Sequence, residues 1–193
     1  MIIGLDEVGR GALAGPVLVG AVAIGGGNLL LHNEIEQLIG RPIADSKRLT
    51  ARHRRVVADY VREKVLWGIG CVEASVIDQS GLTAAIRQAA GEALDQIEKG
   101  PLTRILADAG LFHPYEAIYP TQRIVRADEQ FFEVMLASIL AKVTRDTLMR
   151  ERSVQHPQYN WITNVGYGTA AHRQAIQRYG CTPEHRQTFL RSI

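Results

Sequence analysis

MIIGLDEVGRGALAGPVLVGAVAI, residues 1–24, is the stretch from which the rest of the chain is read. Two apolar runs, 1–7 and 16–24, flank the glycine-rich turn GRGALAG. The second run is β-branched and almost wholly apolar, the pattern of a strand buried on both faces. The first run ends on two acids, Asp6 and Glu7. Working outward, residues 51–64 read as a helix with Thr50 as N-cap and Val57, Tyr60 and Val61 on one face. Residues 65–74 read as a third strand. Residues 82–98 form an amphipathic helix through Leu82, Ile86, Ala89, Ala90, Ala93, Leu94 and Ile97, stopped by Gly100-Pro101. Strands follow at 104–109 and 122–127. A helix over about 130–150 is apolar nearly all round, and such a helix is buried. Residues 151–193 hold loops and short helices rich in Arg, His and Tyr. The fold class is α/β, a mixed sheet with helices on its faces. A core over 1–150 carries 151–193 as a C-terminal helical extension, the whole forming a single structural domain.

The 193 residues suit one domain, and 46% hydrophobic content is ordinary for a globular chain. A chain of this size buries roughly 70% of its unfolded surface, so it needs no staple. Cys71 and Cys181 lie far apart with no CxxC partner, which excludes a cysteine zinc site and a disulfide framework and fits a reducing cytoplasm. Asp6, Glu7 and Arg10 interrupt the apolar start at once, unlike a signal peptide. No run of about 18 apolar residues offers a membrane span. The expected location is cytoplasmic. Net charge is +2, but residues 41–64 hold eight Lys or Arg against three acids. Such a patch serves phosphate neutralisation or a solvated helix face equally well. Histidines 32, 53, 113, 156, 172 and 185 form no HxxxH pair and receive no catalytic role.

The chemistry points to four acids. Asp6 and Glu7 close one core strand, Asp108 closes RILAD, and Asp128 falls where a strand gives way to a buried helix. A lone buried carboxylate is costly, and several together repel unless a divalent cation joins them. Oxygen donors of this kind select Mg²⁺ or Mn²⁺ over zinc. Each acid also has a simpler reading. Asp128 suits an N-cap, and Asp108 suits a strand end before Ala109-Gly110. Asp6 and Glu7, being adjacent, leave a regular strand on opposite faces, so both reach one site only if the strand bends at its end.

Five ordered segments resemble the ribonuclease HII family: GLDEVGRGALAGP (4–16), DSKRLT (45–50), LADAG around Asp108, Asp128 with ASILAKVTRD (137–146), and GYGT (166–169) followed by YGCTPEHRQTF (179–189). The resemblance implies a ribonuclease H-like core, a mixed five-stranded sheet with flanking helices and a C-terminal helical extension. It implies Asp6, Glu7, Asp108 and Asp128 as catalytic carboxylates holding two Mg²⁺ or Mn²⁺ ions. Asp6 would bridge them, with Asp128 on the water side and Asp108 on the leaving-group side. The implied reaction is endonucleolytic hydrolysis of the RNA strand of RNA–DNA hybrids, and cutting 5′ of ribonucleotides embedded in duplex DNA. It leaves 5′-phosphate and 3′-hydroxyl ends.

Specificity would come from Gly9, Arg10 and Gly11 reading the 2′-hydroxyl by close backbone approach, and from Tyr167 stacking on the neighbouring deoxyribose. Lys47 and Lys142 are candidate phosphate contacts, and Lys142 on a buried helix needs a partner there. Without the resemblance, Arg10 reads as a surface ion pair and Tyr167 as a turn aromatic. The chain departs from the family at Glu129-Gln130-Phe131, at Asn164-Val165 and at Ala12. Ribonuclease HIII shares the core but usually carries an extra N-terminal domain, whereas this sequence opens at the catalytic strand. A non-catalytic hybrid binder has no need of four clustered acids facing phosphates. The expected state is a monomer acting without a membrane.

Overall fold

The computed structural model describes residues 1–25, 28–43 and 49–190. Five strands form one sheet in the order β3-β2-β1-β4-β5. They are β1 (Ile2–Val8), β2 (Val17–Ile24), β3 (Leu66–Val72), β4 (Arg104–Asp108) and β5 (Thr121–Ile124). Pairing is antiparallel for β1–β2 and β2–β3, and parallel for β1–β4 and β4–β5. This is the mixed sheet that the sequence implies. All eight residues of β2 are buried, as its continuous apolar run requires.

The two sheet faces carry different helices. Odd-numbered residues of β1 and β2, including Ile3, Leu5, Val19 and Ala21, pack with α3 (Ala74–Ser80) and α4 (Leu82–Asp95). The other face carries α1 (Asn28–Ile39), α2 (Ala51–Lys64) and α6 (Phe132–Ser153), around Val22, Ile35, Val57, Leu136 and Leu140. Between β5 and α6 lies the short α5 (Ala127–Gln130). Helix α6 crosses so close over Gly4 that a Cβ there would lie 2.3 Å from the Val134 backbone nitrogen. No helix among the described residues is long and apolar enough to cross a membrane.

Several boundaries differ from the sequence reading. That reading assigns no element between Ile24 and Thr50, where α1 buries Leu31, Ile35 and Ile39 but leaves Leu29, Leu30 and Leu38 exposed. The extra leucines blur its helical stripe. It also runs strand three through Ala74, the first residue of α3, and misses that helix, which is too short for a periodic signal. Helix α4 stops at Asp95 rather than 98, because Lys99 Nζ takes the Leu94 and Ile97 carbonyls. Strand β5 ends at Ile124 because Arg126 turns left-handed at φ 55°. Thr50 caps α2 as expected, accepting from the His53 backbone nitrogen at 3.2 Å.

After α6 the chain forms a 3-10 turn (Pro157–Tyr159), α7 (Trp161–Asn164), α8 (Ala170–Tyr179) and a second 3-10 turn (Gln187–Phe189). Trp161, Tyr159, Ala175 and Ile176 pack with Leu13, Ala14 and Met149 into a separate cluster. This layer clasps the glycine-rich turn and the C-terminal part of α6, and its Phe189 also packs against the core cluster on the α3–α4 side of the sheet.

Candidate active site

Parallel pairing of β1 with β4 sets Leu5 opposite Ala107, so Asp6 and Asp108 occupy the next positions on neighbouring strands, Asp108 at the end of β4 and Asp6 near the end of β1. Asp6 shares with Gly4 the face that α6 covers, and hydrogen-bonds Ser138 of that helix. Burial pushes the Asp6 carboxyl up to about 7, against the lowering effect of Ser138, and the charges of Glu7 and Asp128 add to the rise. Asp108 Oδ1 accepts the Ala127 backbone N–H at 3.4 Å, which ties β4 to the start of α5. Asp128 lies inside α5, one residue beyond its first; the N-cap is Arg126, so the capping alternative for Asp128 does not hold.

Glu7 leaves β1 on the opposite side from Asp6. The ladder with β2 is regular through Val8, so the strand does not bend to turn both acids to one face, yet the Glu7 carboxylate is still near enough for its charge to raise Asp6. Glu7 Oε1 accepts from Arg10 at 2.9 Å, and its side chain is only 7% exposed. Glu7 Oε2 is buried without a hydrogen-bond partner in the protein. Arg10 is thus the ion pair that the sequence allowed, and its guanidinium also lies close to Gly110 of the Asp108 turn.

Among the described residues no three acidic, histidine or cysteine side chains gather tightly enough to cage an ion by themselves. The local chemistry nevertheless suits one. The donors are all carboxylate oxygens, one buried oxygen of Glu7 lacks a partner, and Asp6 is held partly neutral by burial and like charge. A hard divalent cation would relieve both strains. Glu129, the unusual extra acid, is exposed and lies 3.9 Å from Arg126.

The turn after β1 is shaped by backbone. Gly9 sits at φ 92°, and a Cβ there would meet Arg145 Nε at 2.4 Å, so no other residue fits. A Cβ on Gly11 would meet nothing, leaving that backbone open to an approaching ligand. Ala12 bridges Tyr167, and Leu13 and Ala14 both donate to the Gly166 carbonyl. The two glycine segments, 150 residues apart in sequence, thereby become one surface. Lys142, predicted to need a partner, pairs with Asp146 at 2.8 Å, and its Nζ lies 5.7 Å from the Tyr167 ring centre. Lys47 lies outside the described residues. Arg52, Arg54, Arg55, Asp146 and Arg150 line a groove of about 360 Å³ between α2 and α6.

Sequence reading missed Arg145 and Arg186, both fully buried. Arg145 donates to the carbonyls of Pro16, Val165 and Ala14 at 2.9–3.1 Å. Arg186 donates to those of Gly15 and Arg10 at 3.0 Å. Burial and the neighbouring Arg145 push Arg186 down to about 10, so it stays charged at neutral pH. The signal that could have found Arg145 is its place in a helix read as buried, where a guanidinium needs partners.

The sequence model of the family described as Ribonuclease HII matches residues 3–192. Ribonuclease HII of Thermosynechococcus vestitus is 38% identical, over 100% of this chain and 85% of its own length. That of Paracoccus denitrificans is 37% identical, over 97% and 84%. Among solved structures, the PCNA:RNase HII complex from Archaeoglobus fulgidus aligns with a TM-score of 0.78 at 20% identity, covering 98% of this chain and 93% of that one. Bst-RNase HIII in complex with Mn²⁺ aligns at 0.73 and 19%, covering 98% and 67%. The structural likenesses establish the shared fold, and the full-length sequence match establishes the kinship: the chain belongs to the ribonuclease HII family, metal-dependent endoribonucleases that cleave the RNA of RNA–DNA hybrids.

Proposed function

We propose that this enzyme cuts on the 5′ side of ribonucleotides, both in hybrids and singly embedded in duplex DNA, and so clears misincorporated ribonucleotides and RNA primers. The observation that carries this reading is the junction of the Gly9–Gly11 turn with Tyr167 through the Ala12 bridge, directly beside the acids at the ends of β1 and β4. In this reading Asp6, Glu7, Asp108 and Asp128 hold two divalent ions, Mg²⁺ or Mn²⁺. When bound, such ions supply activation of a water nucleophile and stabilisation of the leaving 3′-oxygen.

The chain's own groups do the rest. The open backbone at Gly11 lets a ribose approach closely enough for its 2′-hydroxyl to be read, the feature that separates RNA from DNA. Arg10 holds Glu7 while leaving its second oxygen unpartnered for the ion. Tyr167 is part-buried and backed by Lys142 and Arg145, so its ring is braced to stack on the deoxyribose 3′ of the cut. Lys142 and the basic groove between α2 and α6 follow the phosphates outward. Lys47 is assigned the same role from sequence.

The test is cleavage of a DNA duplex carrying one ribonucleotide, with Mg²⁺ and Mn²⁺ supplied separately. Incision on the 5′ side of the ribonucleotide, leaving 5′-phosphate and 3′-hydroxyl ends, is expected. Cleavage only within long hybrids would overturn the junction reading. So would full activity in EDTA for the metal reading.

A further inference from the structure

Tyr167 stands on an improbable piece of backbone. Asn164-Val165-Gly166 reverses the chain with Val165 at φ 43° and Gly166 at φ 87°. A β-branched residue in the left-handed region is strained and persists only where its surroundings over-determine it. Asn164 Oδ1 accepts from Gly166 N at 2.9 Å, and Arg145 binds the Val165 carbonyl. On the other side of the tyrosine, the His172 ring reaches back from the first turn of α8. Its Nδ1 lies 3.0 Å from the Tyr167 carbonyl.

The partners of His172 assign its tautomer. A carbonyl only accepts, so Nδ1 carries the proton. Trp161 Nε1–H only donates, and lies 3.1 Å from His172 Nε2, so that nitrogen is the bare acceptor. His185 Nε2 lies 3.2 Å from the same atom, and its own Nδ1 accepts the Thr182 backbone N–H at 3.0 Å. His185 Nε2–H therefore donates as well. Two neutral rings, both buried, complete a chain of donors that runs from Thr182 through His185 and His172 to the Tyr167 carbonyl. Burial lowers the pKa of both imidazoles, which keeps the chain uncharged.

From this geometry we infer that His172 is a positioning residue that holds Tyr167 in its stacking place, and so governs discrimination for the ribonucleotide–deoxyribonucleotide junction. The inference rests on the reading of Tyr167 given above. It adds that the determinant of specificity extends into the C-terminal layer, to a side chain that never meets the nucleic acid. An asparagine amide reaches about as far as imidazole Nδ1, and a glutamine amide about as far as Nε2. His172→Asn thus keeps the donor to Tyr167 and loses the Trp161–His185 acceptor, whereas His172→Gln does the reverse.

The readout is the ratio of kcat/KM on a single-ribonucleotide duplex to kcat/KM on a long hybrid. Tyr167→Ala should lower this ratio about tenfold or more. His172→Gln should lower it several-fold, His172→Asn should keep it within about twofold, and His172→Gln should cost nothing further in the Tyr167→Ala background. Equal losses in the two His172 variants, or additive losses in the double mutant, would reduce His172 to a structural part and overturn the inference. An unchanged ratio in Tyr167→Ala would instead sink the junction reading on which it rests. Independently of any variant, nitrogen NMR of the wild-type enzyme at neutral pH should show His172 protonated at Nδ1 and bare at Nε2; the opposite tautomer would also overturn it.

Discussion

The turn after β1 has two borders that are built in opposite ways. On the sheet side stand the acids. Asp6 is pushed up to about 7, Glu7 keeps one buried oxygen unpartnered, and Arg10 makes a half-exposed ion pair. On the C-terminal side stand Arg145, Arg186 and the His172–His185 pair, whose donors and acceptors close on carbonyls and on each other. The sheet side is left electrostatically unfinished, which is what a site awaiting a cation and a phosphate requires. The C-terminal side is closer to closed, although Arg186 Nη2 stays buried without a partner, and the proposed reading of a ligand by the loop's backbone asks for a support of groups that do not move.

The comparison breaks first at the acids. Asp6→Asn or Asp108→Asn should lower cleavage by roughly 10²–10³-fold or more, the scale of losing a group that stabilises transition-state charge. The proteins should stay folded by circular dichroism, and divalent ions should raise the melting temperature of wild type but not of Asp6→Asn. An active Asp6→Asn enzyme would show that the unfinished border is mere surface.

Next in size is the scaffold. Arg186→Ala strands the buried carbonyls of Gly15 and Arg10 and opens a cavity, at a cost of about 2–5 kcal/mol in denaturant unfolding. Arg10→Ala removes a half-exposed guanidinium that donates to one carboxylate and to no buried carbonyl, so it should cost less than Arg186→Ala even though it leaves Glu7 unpaired. Similar costs for the two would erase the contrast between the borders.

A smaller effect is expected from acid. His185 is pushed by burial, and then by His172, down to about 4 from an ordinary 6.5. The unfolded chain therefore binds more protons between those values, and stability falls as pH drops through that window. The loss is present below pH 6.5 and absent above it. His185→Gln should flatten the slope of stability against pH over this range, as read by chemical denaturation. An unaltered slope would mean that the pair is hydrated.

Least is expected of the groove. Arg52→Ala with Arg55→Ala should reduce the salt dependence of hybrid binding by about one to two phosphate equivalents. An unchanged slope would make α2 a solvated face.

Much of this was legible in the linear order of residues. Eight buried residues in β2, the N-cap at Thr50 and the periodic face of α4 follow from local pattern, since strand and helix periods are short-range properties. The acids stood out because charge at the end of an apolar run is costly wherever the chain goes. Helix α1 was obscured because Leu29, Leu30 and Leu38 lie exposed beside its buried stripe. Sequence alone thus determined most of the elements, though neither α1 nor α3, together with the family and the chemical character of the candidate site. Only tertiary structure decided that β1 stays regular past Asp6 and Glu7 instead of bending, that Ala12 meets Tyr167, and that Arg145, Arg186, His172 and His185 converge behind them. The contacts of Ala12, Arg145 and Arg186 join residues more than a hundred positions apart, and a buried guanidinium or imidazole declares its partner only once the groups it must satisfy have been folded around it.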